Sequence, residues 1–120
     1  MSMTAMSIPM FLDYLAVLLK GPEAAGKHYQ FNVEFTDVRE RYLLEVENGV
    51  LNHTAGVRVD DPTASLSLER SSLDAIVLGE AEFVDLLANG RATVEGDTDA
   101  FKDFVQMLDS FEFWFDIVTP

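Results

Sequence analysis

Histidines, serines and paired carboxylates are the residues from which hydrolytic, nucleophilic or metal chemistry is built, and this chain offers few useful combinations of them. A hydrolytic zinc centre needs at least three converging protein ligands, usually several imidazoles. Only His28 and His53 are present, and strand periodicity puts them on opposite sides of a sheet, so neither a metal nor any other cofactor is expected. For His53, on the apolar side, the plain expectation is an imidazole hydrogen-bonded to a neighbour; the sharper one is a polar contact inside a ligand cavity. Asp60-Asp61 and Asp97-Thr98-Asp99 lack the spaced ligand ladder and distal glutamate of a calcium loop, and read as an exposed turn and a helix cap. Ser71-Ser72 sits at a helix start, outside any G-x-S-x-G elbow, and there is no cysteine to act as a nucleophile or form a disulfide. No glycine-rich phosphate loop occurs.

Charge excludes further classes. Eight Lys and Arg stand against 21 Asp and Glu, a formal charge of −13 over 120 residues. The cations are scattered singly, so neither nucleic-acid phosphates nor an anionic membrane surface would find a basic patch. The longest apolar stretch, 8–19, is interrupted by Asp13 and falls short of the ~20 residues of a bilayer span. With no Lys or Arg before it, it does not read as a signal peptide either. Hydrophobic residues make up 48% of the chain, enough for the core of one domain over 1–120, with a loose start at 1–7 and an aromatic tail at 111–120.

The elements that must position these residues follow from periodicity. Ser7 and Pro9 open a helix over about 8–20, whose stripe is Ile8, Phe11, Leu12, Leu15, Leu18 and Leu19. Met10, Tyr14 and Val17 give it a second apolar side, fitting either deep burial or contact with a partner; Gly21-Pro22 is expected to end it. Tyr29, Phe31, Val33 and Phe35 alternate as one strand, and Tyr42, Leu44 and Val46 as the next. Asn48-Gly49 predicts a two-residue type I′ hairpin pairing Glu47 with Val50, Val46 with Leu51, Leu44 with His53 and Tyr42 with Ala55. Ala64, Leu66 and Leu68 give a fourth strand, continuing a meander. A helix capped by Ser71 or Ser72, a second around Phe83–Leu87, a short strand at Ala92 and Val94, and a helix capped by Asp97 or Thr98 complete the order. Strands grouped first and helices afterwards imply an α+β two-layer sandwich, with about five mainly antiparallel strands covered by helices.

The remaining candidate for function is the apolar interior. Phe83, Leu86, Leu87, Phe101, Phe104, Met107, Leu108, Phe111, Phe113 and Trp114 fall in the helices and tail that cover the sheet, opposite Phe31 and Phe35. Each alone would serve as ordinary core; together, with a flexible methionine among large aromatics, they fit an adaptable apolar slot. A methylene leaving water contributes ~0.8 kcal/mol, so about a dozen carbons supply up to roughly 10 kcal/mol gross. Association consumes several kcal/mol of that. At −13 the protein as a whole repels anionic headgroups, so attraction for a surfactant has to come from its tail.

Three stretches carry a family resemblance: Phe31-Asn32-Val33-Glu34-Phe35-Thr36-Asp37; the segment from Arg41-Tyr42-Leu43-Leu44 through Asn48-Gly49 to His53; and the ending Phe113-Trp114-Phe115-Asp116-Ile117-Val118-Thr119-Pro120. From about Tyr14 onward the chain resembles the C-terminal module of the alkyl sulfatases, zinc hydrolases of linear alkyl sulfates such as dodecyl sulfate. That module resembles the sterol carrier protein fold, a five-stranded sheet with helices over a lipid-accepting cavity. The resemblance implies substrate recruitment: the module receives the alkyl chain while a separate metallo-β-lactamase-type domain cleaves the ester. The His-x-His-x-Asp-His metal motif of that catalytic domain is absent here, so activity does not carry over.

The expectation is a non-catalytic domain binding a long-chain alkyl or lipid molecule, alongside a catalytic domain in a larger protein or as a free-standing relative. The alternative is a docking or homodimerisation module using helix 8–20 and the 111–118 tail.

Overall fold

The computed structural model describes residues 7–77, 80 and 82–108, the side chains of 76, 77, 83 and 84 excepted. The expected tail, with Phe111, Phe113 and Trp114, lies outside the described residues, as does the Phe83 side chain.

Ser7 caps α1 (Ile8–Leu18), its Oγ accepting from the Met10 N–H at 3.2 Å, with Pro9 in the first turn. Ile8, Phe11, Leu12 and Leu15 are buried, but Met10 and Val17 are 55% and 81% exposed, so the helix is not buried all round. Gly21-Pro22 does not simply end it. Pro22 starts a four-residue turn, α2 (Gly21–Ala24), because a fixed φ and a missing donor suit a first helical turn as well as a stop.

The sheet comprises β1 (Tyr29–Phe35), β2 (Glu40–Glu47), β3 (Val50–Ala55), β4 (Ala64–Leu68) and β5 (Ala92–Gly96), in the order β3-β2-β1-β4-β5. The hairpin has the expected register, Leu44 opposite His53 and Tyr42 opposite Ala55. Asn48 and Gly49 take φ of 55° and 76°, the left-handed pair a type I′ turn requires. A Cβ on Gly49 would also stand 3.0 Å from the Gly21 carbonyl oxygen.

The meander stops at β3. β4 lies parallel to β1, Val33 beside Leu66, and antiparallel to β5, Leu66 beside Val94. The connection from β3 to β4 therefore crosses the outer face of the sheet over β2 and β1. Asn32 fastens it there: its Nδ2 donates to the Val59 carbonyl at 2.8 Å and its Oδ1 accepts from the Val59 N–H at 3.0 Å. This cover explains why Asn32 and Leu43, on the face that alternation assigns to solvent, are only 8% and 5% exposed. A buried amide survives because both its polar ends are paired.

On the inner face lie α1, α3 (Arg70–Val77), α4 (Phe83–Ala88) and α5 (Thr98–Gln106). Asp97 caps α5, accepting from the Ala100 N–H at 3.0 Å. The α3 cap is neither serine, since Ser71 and Ser72 are within the helix; Asp37, from the β1–β2 turn, accepts from Arg70 N–H at 2.6 Å and Ser71 N–H at 3.4 Å. Those donors hold its carboxyl below the usual 3.8. No helix among the described residues is long and apolar enough to cross a membrane.

Candidate functional site

Inner-facing residues run in rows across the sheet. One row is His53, Leu44, Phe31 and Ala64; the next is Ala55, Tyr42, Val33, Leu66 and Val94. Phe31, fully buried, anchors the centre. The Phe101 ring meets it edge-on at 5.4 Å and the Phe104 ring is tilted against it at 5.3 Å, so α5 is set on β1 by aromatic packing. Outside these rings Tyr29 donates its O–H to Asp103 Oδ2 at 2.6 Å, and Lys27 Nζ lies 3.2 Å from the same oxygen. That bond, followed by burial, pushes the Tyr29 phenol up to about 12. The same donor, assisted by Lys27, holds Asp103 below the ordinary carboxylate value. At the far ends of the two lid helices Lys20 N–H donates to the Met107 carbonyl at 2.9 Å, and Leu19 forms a bridge with Leu108. Together α1 and α5 make a joined cover.

Between cover and sheet is a cavity of about 80 Å³. Phe11, Leu12 and Leu15 of α1 form one wall; Phe101, Phe104 and Val105 of α5, with Leu108, form another; Leu73 of α3 contributes at the side. The floor is Val33, Phe35, Leu44, Leu66 and Leu68. Every lining side chain is Phe, Leu or Val, so nothing polar is offered to a ligand or a water. Ligand pockets run to about 300–1,000 Å³, so this space alone has room for only a few methylene groups. A second space, about 420 Å³, lies along α4, β5 and α5, lined by Leu87, Gly90, Ala92, Thr93, Val94, Thr98, Phe101 and Lys102. Phe101 lines both.

Of the residues singled out from sequence, Phe101, Phe104 and Leu108 line the inner cavity and Leu87, half-buried, lines the outer groove. Leu86 and Met107 are buried in the core at 4% exposure and line neither. Sequence reasoning did not assign Phe11, Leu12, Leu15, Leu66, Leu68 and Leu73 to the lining. Their apolar periodicity was visible, but filled core and cavity wall share one composition. His53 points to neither space: its Nδ1 lies 3.6 Å from Asp13 Oδ1 of α1, and its ring meets Tyr42 edge-on at 6.3 Å. His28 is exposed. Among the described residues no three His, Asp or Glu side chains converge as a metal-ligand set.

A five-stranded mixed sheet in this order, with helices over one face and an apolar space between, has the architecture of the sterol carrier proteins. Sterol Carrier Protein 2 Like 2 from Aedes aegypti superposes with a TM-score of 0.66 at 16% identity, covering 88% of this chain and 97% of that one; its palmitated form gives 0.61 over 84% and 93%. Residues 1–120 match the family model of the alkyl sulfatase C-terminal domain, and the chain belongs to that family. It is 40% identical over 116 residues to a linear primary-alkylsulfatase from Pseudomonas sp., covering 97% of this chain. The stereoselective inverting sec-alkylsulfatase Pisa1 from Pseudomonas sp. superposes with a TM-score of 0.80 at 27% identity over 88% of this chain. The chain spans 17% of the length of both sulfatases.

Proposed function

We propose that this chain is a non-catalytic binding domain for a long alkyl or lipid tail, the substrate-recruiting part of an alkyl sulfatase whose ester cleavage is carried out elsewhere. The observation that carries this reading is the space between sheet and lid, walled only by Phe, Leu and Val side chains. Such a space gains from a hydrocarbon tail both the transfer free energy of each methylene and the dispersion contacts its lining lacks. The palmitated Aedes aegypti protein, which has the same fold, supports this reading. Two histidines are too few for the imidazole-rich site a zinc hydrolase needs.

A fluorescent long-chain fatty acid, titrated into the chain with light scattering to follow mass, tests the reading. Saturable uptake by a monomer is expected. A dimer indifferent to the probe overturns it and favours the second reading, a docking module, for which the exposed Met10 and Val17 on α1 speak. Sulfate release from dodecyl sulfate by the zinc-supplemented chain would overturn the non-catalytic assignment.

A further inference from the structure

The outer face of the sheet, away from the lid, carries a polar groove of about 110 Å³ that crosses β2, β1, β4 and β5. Arg41, Glu34, Ser67 and Thr93 stand side by side along one row of the register, and Ser65 and Glu95 are neighbours in the next. The β3–β4 connection adds a rim, Val57 and Arg58. That rim is fixed in place: the Gly56 N–H donates to the Arg41 carbonyl at 2.9 Å, and Val59 is bonded both ways to Asn32. The two arginines therefore flank the β2–β1 end of the groove and Glu95 the β5 end, with hydroxyls between them.

In a chain with 21 Asp and Glu against eight Lys and Arg, a surface arginine has carboxylates to spare. Yet among the described residues neither Arg41 nor Arg58 makes an ion pair, although Glu34 is the register partner of Arg41, and neither Glu34 nor Glu95 makes one. The Ser65, Ser67 and Thr93 hydroxyls make no hydrogen bond among the described residues. Donors and acceptors of both signs are thus left open, in fixed order, on a rigid sheet.

We propose that this groove docks an extended polypeptide segment of a partner protein, one that carries an acidic side chain and, about three residues along, a basic one. The acidic side chain pairs with Arg41 and Arg58, the basic one with Glu95, and the amides between them bond the Ser67 and Thr93 hydroxyls. From β2 to β5 is three inter-strand spacings, about 14 Å. Three extended residues span about 10 Å, and the charged side chains cover the rest. A simple anion fits less well, because Glu34 stands beside Arg41. The surface lies on the opposite face of the sheet from the alkyl space and is independent of it.

The test is an amide chemical-shift titration of the 120-residue chain with acetyl-Asp-Gly-Gly-Lys-amide and with its uncharged counterpart, acetyl-Asn-Gly-Gly-Gln-amide. Saturable shifts at Ser65, Ser67, Thr93 and Glu95 are expected with the charged peptide, and binding weaker by about three-fold or more with the uncharged one. Arg41→Gln and Arg58→Gln, each checked for a retained melting transition, are expected to weaken the charged peptide about three-fold or more. Lys102→Gln makes the same change in net charge on α5 and is expected to stay within about two-fold. Equal binding of the two peptides, equal losses in the Arg58 and Lys102 variants, or shifts that do not saturate or fall elsewhere overturn the docking site. Sodium phosphate moving the same amides as strongly as the peptide would mean a plain anion site and overturn the polypeptide assignment.

Discussion

Inner-facing residues at the centre of the β3–β2–β1 side of the sheet are packed to near completion, Leu51, Val46, Leu44, Phe31 and Val33 being 5% exposed or less, while His53 and Ala55 at the end of β3 are more open. On the β4–β5 side the cross-strand pair Leu66 and Val94 is only partly buried, although Ala64, Leu68 and Ala92 around it are buried. The first side carries α1 and the aromatic cluster of α5 on Phe31; the second faces the groove beside α4. One sheet therefore does two jobs. The tight side supplies most of the stability, the inner cavity straddles the seam over Val33, Phe35 and Leu44 of that side and Leu66 and Leu68 of the other, and the slack side alone adds the outer groove.

Matched substitutions sharpen the contrast. Leu44→Ala, in the tight half, is expected to cost about 3 kcal/mol, and Leu66→Ala, half-buried, about 1 kcal/mol, both read by denaturant unfolding. Equal costs would erase the distinction between the halves. Enlarging side chains should sort the same way. Phe104→Trp, 2% exposed and packed on Phe31, is expected to lose about 1–3 kcal/mol by overpacking. Leu87→Trp at the groove wall is expected to lose under about 1 kcal/mol and to weaken uptake of a long-chain probe about ten-fold. Uptake unaffected by Leu87→Trp would place the ligand elsewhere.

A modest effect, whose pH dependence is confined to acid and alkaline conditions, concerns the bond that ties α5 to β1. Asp103 has its carboxyl depressed, so the stability it lends is present above the ordinary value of 3.8 and is lost as pH falls through the lower folded value. Tyr29, raised to about 12, lends stability below the ordinary 10.0 and loses it as pH climbs through about 12. Both describe one hydrogen bond, which counts once. Tyr29→Phe is expected to cost about 1 kcal/mol in melts at pH 7, a gap that closes as the pH falls through the lowered Asp103 value. A gap independent of pH would mean the bond does not hold the lid.

Local signals in the sequence were read well where the information is local. Asn48-Gly49 fixes the hairpin register because only a left-handed pair closes that turn, and Ser7 and Asp97 announce their helices by side-chain chemistry acting three residues away. The parallel placement of β4 beside β1 was not readable, because Ala64-Ser65-Leu66-Ser67-Leu68 alternates equally well against either edge. The same misplacement hid the role of Asn32, which is set by the β3–β4 connection crossing 27 residues downstream. Asp37, in the β1–β2 turn, caps a helix 33 residues on, a contact that no local pattern announces. For the site, Phe101 and Phe104 were visible as aromatics on one helical stripe. Whether Phe11, Leu12 and Leu15 line a cavity or fill a core depends on how closely α1 approaches the sheet, which no single segment encodes.

The most direct measurement is a set of intermolecular nuclear Overhauser effects between 1-decanol and the methyl groups of the labelled chain. Contacts are expected from the alkyl protons to Leu66, Leu87, Val94 and Leu108, inside the groove and beneath the lid. Contacts confined to Met10 and Val17 on the outer side of α1, or no contacts at all, would contradict an alkyl-binding interior.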